Sequence, residues 1–344
     1  MSELRNLTPF SAVCIPSLST HDELLTLVVI AGHFVLPTPG IYATTPLQIA
    51  EQQDEVQLAD AYRGNAATSS LLYEGQSSYT RPCTDLYLEG HAWAPAGRPV
   101  TRSNIRLQVG VWKKEAVVSG ERVWKRGIGG TTPSNPEPFT SIPLIYERCF
   151  GGWPESPARH SIEAAERNPV GRGLFNQESE ARDGLLPNIE DPSALLHSPA
   201  NRPLPCGFGP IARQWRPRRA FSGSYSPDWV KERAPLWPPD VNEWFFAAAP
   251  SGLQASPYLE GGEPVSIDGM SPDGRFAFPL PRFSLQARFE QRHRQSRKRM
   301  ILDAVLFDTA ARRLTLYWRA FIVANPLSVG TVTVRELEPW ELAG

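Results

Sequence analysis

Six histidines and four cysteines are the residues of this chain best suited to hold a metal or act as nucleophiles, and their spacing supports neither role. His21, His33, His91, His160, His197 and His293 never fall three or four positions apart, so no helical turn presents two imidazoles to one ion. Cys14, Cys83, Cys149 and Cys206 lie more than fifty residues apart, which removes any CxxC knuckle or redox pair. They read as packed or idle thiols in a reducing compartment. Cys149 could in principle meet His160 or His197, but a lone cysteine before Phe-Gly-Gly reads more simply as a packed residue. No GxSxG elbow and no GxxxxGK phosphate loop occurs. No cofactor or metal is expected.

Polar residues of the central segment leave an enzymatic alternative open. Glu147, Arg148, Asn168 and Glu190 stand in Gly-rich and Asn-rich motifs, where a hydrolase or a protein-modifying enzyme could use them. The run Asn168 to Gly173 (NPVGRG) could form an anion-binding nest beside Arg172, although a tight turn accounts for it equally well. Two basic clusters point to binding. Arg288, Arg292, His293, Arg294, Arg297, Lys298 and Arg299 crowd into a dozen residues, as a polar connection between strands, a guard on a sheet edge or a grip on phosphates. Arg213, Arg216, Arg218 and Arg219 surround Trp215 in a Pro-rich loop, a composition typical of protein-binding hot spots.

The elements that must position these residues read as strands. Leu24 to Ile30 is a nearly continuous apolar run, as in a strand covered on both faces, and Phe10 to Ile15 precedes it. Asp85 to Ala94 and Ile105 to Trp112 alternate, and Val117 to Trp124 reads as two short strands around Ser119-Gly120. Thr45 as N-cap, Pro46, Gln48 and Gly64 predict a helix over Pro46 to Tyr62. Further strands are expected at Val265 to Ile267, Phe276 to Leu280, Phe283 to Phe289, Met300 to Phe307 and Leu314 to Val323, with Thr331 to Leu337 as an edge.

Proline is in surplus: 34 of 344 residues, against a usual share near 5%. Eighteen of them fall within residues 127–245, which have little periodicity but many large aromatics, and a disordered linker would be poor in those. The chain is therefore expected to be one large, mainly β domain over 1–344. Strands of 8–126 and 246–337 would share an antiparallel, sandwich-like core, wrapped by an ordered irregular segment, 127–245, with one or two short helices. A net charge of −1 gives no general attraction to nucleic acid or anionic membrane. The N-terminus lacks an apolar signal core and no apolar run reaches 18 residues, so a cytoplasmic location is expected.

Several motifs in one order carry a family resemblance. PFTSIPLIYERCFGGW (Pro138 to Trp153), NPVGRGLF (Asn168 to Phe175), LLPNIEDP (Leu185 to Pro192), CGFGPIARQWRPR (Cys206 to Arg218) and the stretch Ser222 to Pro250 resemble successive motifs of domain-of-unknown-function family 2169. Thr84 to Val100 and Tyr258 to Pro281 extend the likeness over residues 8–323. The chain departs from it at Ser226, where the family often has aspartate, and at Gln76-Ser77-Ser78, near which an aspartate is common. The resemblance implies a bacterial type VI secretion accessory protein, an adaptor or chaperone that binds a PAAR-repeat spike-tip or toxic effector protein for loading. On that reading Trp215, Arg218, Arg219, Tyr225, Trp229 and Trp237 are the candidate partner contacts, and the enzyme and a nucleic-acid binder using residues 288–299 are the alternatives.

Overall fold

A computed structural model describes residues 2–127, 130–154 and 158–342. Fifteen strands build its three large sheets. From the N-terminus these are β1 (Glu3–Asn6), β2 (Ser11–Leu18), β3 (Leu24–Val35), β4 (Thr84–Glu89), β5 (Arg102–Val109) and β6 (Trp112–Ser119). β7 (Ile189–Glu190), β8 (Gln254–Ala255), β9 (Pro264–Asp268) and β10 (Phe276–Pro279) follow. The last are β11 (Leu285–Gln291), β12 (Arg294–Arg299), β13 (Ile301–Asp308), β14 (Arg313–Val323) and β15 (Val329–Glu336).

The six-stranded sheet has the order β8-β4-β13-β14-β3-β2, so strands from both ends of the sequence mix in it. Its longest pairing is β3 against β14, both nearly all buried, because apolar side chains fill a pleated surface that is covered on both faces. The four-stranded sheet, β1-β15-β11-β12, lies across it: β1 touches β2, and both β11 and β12 touch β14. Phe10, Phe34, Phe283 and Trp318 stack between them, Phe10 on Trp318 at 5.5 Å. The five-stranded sheet, β7-β6-β5-β9-β10, shares the same hydrophobic core through Ile105, Leu107, Val109, Ile267 and Phe278. The molecule is thus mainly β and sandwich-like. Most pairs are antiparallel, with parallel pairs at β1/β15 and β13/β4.

Three local expectations fail for identifiable reasons. The segment from Pro46 to Tyr62 is extended, with no helix. It continues the sheet where β2 stops: Val35 N donates to Gln48 O, Ala50 N to His33 O, and the Gln53 amide bonds both the N–H and C=O of His33. These pairings outweigh a capping signal worth about 1 kcal/mol. The strands around Ser119-Gly120 do not pair with each other, since β6 pairs with β5 and Trp124–Gly127 pairs with Gly130–Pro133. The expected edge at Thr331 to Leu337 is an interior strand, β15, flanked by β1 and β11.

Residues 127–245 carry only short elements among those described, including α1 (Arg159–Arg167) and α2 (Pro227–Glu232). Their aromatics pin them down in satellite clusters. Trp215 packs edge-on against Tyr146 at 5.5 Å, and Trp237 does the same against Phe246.

Candidate functional site

Three guanidinium groups and three carboxylates are buried together where the six-stranded sheet meets the wrap: Arg81, Arg218, Arg319, Glu74, Asp85 and Asp303. Asp85 and Asp303 come from the neighbouring strands β4 and β13, Arg319 from β14, and Arg218 from a 3-10 turn of the wrap. Arg218 grips Glu74 with both terminal nitrogens at 3.0 and 2.9 Å and donates to the carbonyls of Ile211 and Phe245. Arg81 donates to Asp85 at 3.0 Å, to the Tyr87 hydroxyl, to the Phe246 carbonyl and to Gln76. The Asp85 carboxylate also accepts from Tyr87 and from the backbone N–H of Ala248, each at 2.7 Å. Arg319 lies 2.8 Å from Asp303 and donates to Gln76 and the Ser78 carbonyl. The backbone of residues 211–248 is thereby stapled to the sheet by charge-assisted bonds, each stronger than a neutral one.

Burial opposes every charge here, so partners decide the outcome. For Glu74, burial pushes upward, but Arg218, Arg81 and Arg213 outweigh it and hold the carboxyl below its ordinary value. Burial likewise acts to lower Arg81, and Tyr87, Asp85, Asp303 and Glu74 together raise it. The balance reverses one strand over: burial raises Asp303 and lowers Arg319 to about 10 despite their contact. Among the described residues, Asp303 Oδ1 has no hydrogen-bond partner, nor do Arg81 Nε and Ser78 Oγ. Such a cluster adds little net stability over an apolar core, but it penalises any packing that separates its members.

Asp303 and Arg319 form the floor of a cavity of about 210 Å³, walled by Tyr79, Tyr258 and Phe321 and rimmed by Lys298 and Arg299. A second cavity of about 200 Å³ adjoins it, sharing Tyr258, Arg299 and Ile301 and reaching Phe283 and Trp318. Together they make a groove beside β12, the last strand of its sheet. Among the described residues, Arg294, Arg297, Lys298 and Arg299 of β12 have no carboxylate within 4.0 Å.

The sequence-derived candidates fall into two groups. Trp215 and Arg218 are buried, Arg218 in the charge cluster, so they anchor the wrap. Arg219 and Tyr225 are exposed, and Trp229 and Trp237 are half-buried; Tyr225, just before α2, contacts Trp229 of that helix edge-on at 4.7 Å. Each member of the alternative polar set is engaged by local partners. Glu147 accepts from Ser70 N–H and hydroxyl, Arg148 bonds Glu121 and Asn188, and Glu190 pairs with Arg122. Asn168, fully buried, donates to the carbonyls of Tyr146 and Phe150. None of these four borders the groove. The basic run is a hairpin, β11 to β12, with both halves in strands.

Glu74, Arg81, Asp85, Asp303 and Arg319 were missed in the sequence. For Asp303 and Arg319 the signal is a charge inside an otherwise apolar run, as in LTLYWRAFIV, where Arg319 interrupts buried neighbours on both faces.

Over residues 21–319 the sequence matches the family described as "Uncharacterized protein conserved in bacteria (DUF2169)". No curated protein and no solved structure matches it. No helix among the described residues is long and apolar enough to cross a membrane.

Proposed function

The chain belongs to the DUF2169 family of bacterial proteins, and from that premise we propose that it is a type VI secretion accessory protein. It acts as a cytoplasmic adaptor or chaperone that binds and stabilises a PAAR-repeat spike-tip or effector protein for loading. The observation that carries this reading is the free edge of β12 above a groove rimmed by unpaired cations. A strand edge with spare backbone hydrogen-bonding groups is a ready template for another chain. Exposed Tyr225, with half-buried Trp229 of α2 against it, offers a second contact of the kind that dominates interface energetics.

Co-expression with a PAAR-repeat protein or effector from the same organism, followed by affinity capture and size exclusion, tests the proposal. A partner that becomes soluble only with this chain and co-elutes with it supports the adaptor role. A partner equally soluble alone that never co-elutes refutes it.

A further inference from the structure

The backbone register of the β11–β12 hairpin fixes which groups of β12 are free. Residues pair as Gln286 with Arg299, Arg288 with Arg297 and Glu290 with Gln295, and Met300 N donates to Leu285 O. In an antiparallel ladder hydrogen-bonded and non-hydrogen-bonded pairs alternate. Lys298, Ser296 and Arg294 therefore spend their N–H and C=O groups on β11, whereas those of Arg299, Arg297 and Gln295 point away from it. The opposite side of β11 agrees, since Leu337 N donates to Ser284 O and assigns the even-numbered residues of β11 to β15.

Side chains alternate in the same way. Leu285, Ala287 and Phe289 are buried against the six-stranded sheet, so Arg299, Arg297 and Gln295 share the outer face with Gln286, Arg288 and Glu290. Next to this edge the apolar lining of the groove is Ile301 and Phe321. Two other sheet edges are blunted: β2 carries Pro16, and β10 is bridged by Tyr42 and receives the Ala43 N–H at the Ala277 carbonyl.

We propose that the open edge of β12 receives, as an added strand, an extended segment of a partner protein in which acidic and apolar residues alternate. Its backbone pairs with Arg299, Arg297 and Gln295. Its carboxylates meet the Arg297 and Arg299 side chains on the outer face, and its apolar residues descend into the groove over Ile301 and Phe321. The cations select the occupant: a second copy of β12 would place arginine against arginine, whereas an acidic strand neutralises them. This mode of recognition rests on the binding-protein reading above and specifies the chemistry of the partner.

The test uses the full chain with three fluorescent ten-residue probes: a Glu/Val alternating peptide, its Lys/Val counterpart and a single-stranded oligonucleotide. The Glu/Val peptide alone is expected to bind, more weakly as salt rises. Amide hydrogen exchange should slow at Arg297 and Arg299, with Lys298 already protected. R297P removes one outward N–H at a position where an edge strand tolerates proline, and should weaken binding at least about tenfold. R297E/R299E keeps the backbone intact and should move the preference to the Lys/Val peptide, so the inference does not depend on one variant folding. Equal binding to R297P and wild type, or binding of the oligonucleotide in place of the acidic peptide, overturns it. Failure of every peptide while a PAAR-repeat partner still co-elutes refutes strand addition and leaves the adaptor role standing. Peptide binding with no PAAR-repeat or effector partner captured refutes that role and leaves the strand site.

Discussion

Removing Glu74 should loosen the wrap from the sheet, and the structure sets the scale of the effect. Glu74→Ala deletes both bonds that Arg218 makes to a carboxylate and leaves a guanidinium, 1% exposed, with only the Ile211 and Phe245 carbonyls. An uncompensated buried charge of this kind costs about 3–5 kcal/mol. Unfolding entropy near 2.1 cal/mol/K per residue gives about 0.7 kcal/mol/K for 344 residues, so the midpoint should fall by about 4–7 °C. Urea denaturation followed by tryptophan fluorescence measures the free energy directly. Replacing both partners, as E74L/R218M, should recover most of the loss, because the cost lies in the orphaned charge. The pH dependence follows from the depressed carboxyl of Glu74. Its contribution is complete above the unfolded value near 4.3 and disappears as pH falls through the lower folded value. The gap between wild type and Glu74→Gln should therefore hold from pH 7 to about 5 and shrink progressively at lower pH. A cost under about 1 kcal/mol for Glu74→Ala, or simple additivity in the double variant, would show that the pair does not act as a clamp.

Other substitutions separate anchoring from surface roles. Trp215→Ala should cost about 3–5 kcal/mol in urea denaturation, while Tyr225→Ala and Arg219→Ala stay within about 0.5 kcal/mol. Gly120→Ala should cost about 3 kcal/mol or more or prevent soluble expression, since the added carbon would lie 1.8 Å from the Glu137 carbonyl oxygen. Burial lowers the pKa of His33, which faces Thr315 and the Asp54 carbonyl with Arg313 nearby. Below about pH 6.5 the unfolded chain takes a proton that folded His33 refuses, so stability should decline there, and the decline should be shallower in His33→Gln. Cys14, its thiol pushed up to about 11 by burial, should react with a thiol reagent in the native state far more slowly at pH 8 than a free cysteine of ordinary pKa.

Strands were legible wherever the pattern itself carries the physics. Val265 to Leu280 shows turn chemistry at Ser-Pro-Asp-Gly between two β-rich runs, and it forms the β9/β10 hairpin. The helix expected at Pro46 illustrates the converse. Its capping residues are present, but their small local preference competes with hydrogen bonds to β3, and nothing in the segment reveals that β2 ends early. The basic run was readable as chemistry and unreadable as geometry: spacing showed a cationic stretch, while only the register shows which amides it leaves free.

By itself, then, the sequence determined the mainly β class, the concentration of proline in an aromatic-rich middle and the family motifs, because these depend on local alternation and composition. Tertiary structure alone decided that Trp215 and Arg218 are internal, that Glu74, Asp85 and Asp303 meet three arginines, and that β12 is an edge. Glu74 and Arg218 stand 144 positions apart, and such a pairing costs chain entropy that only the assembled core repays. No local pattern encodes it, since it exists only once both residues are enclosed in the same dry space.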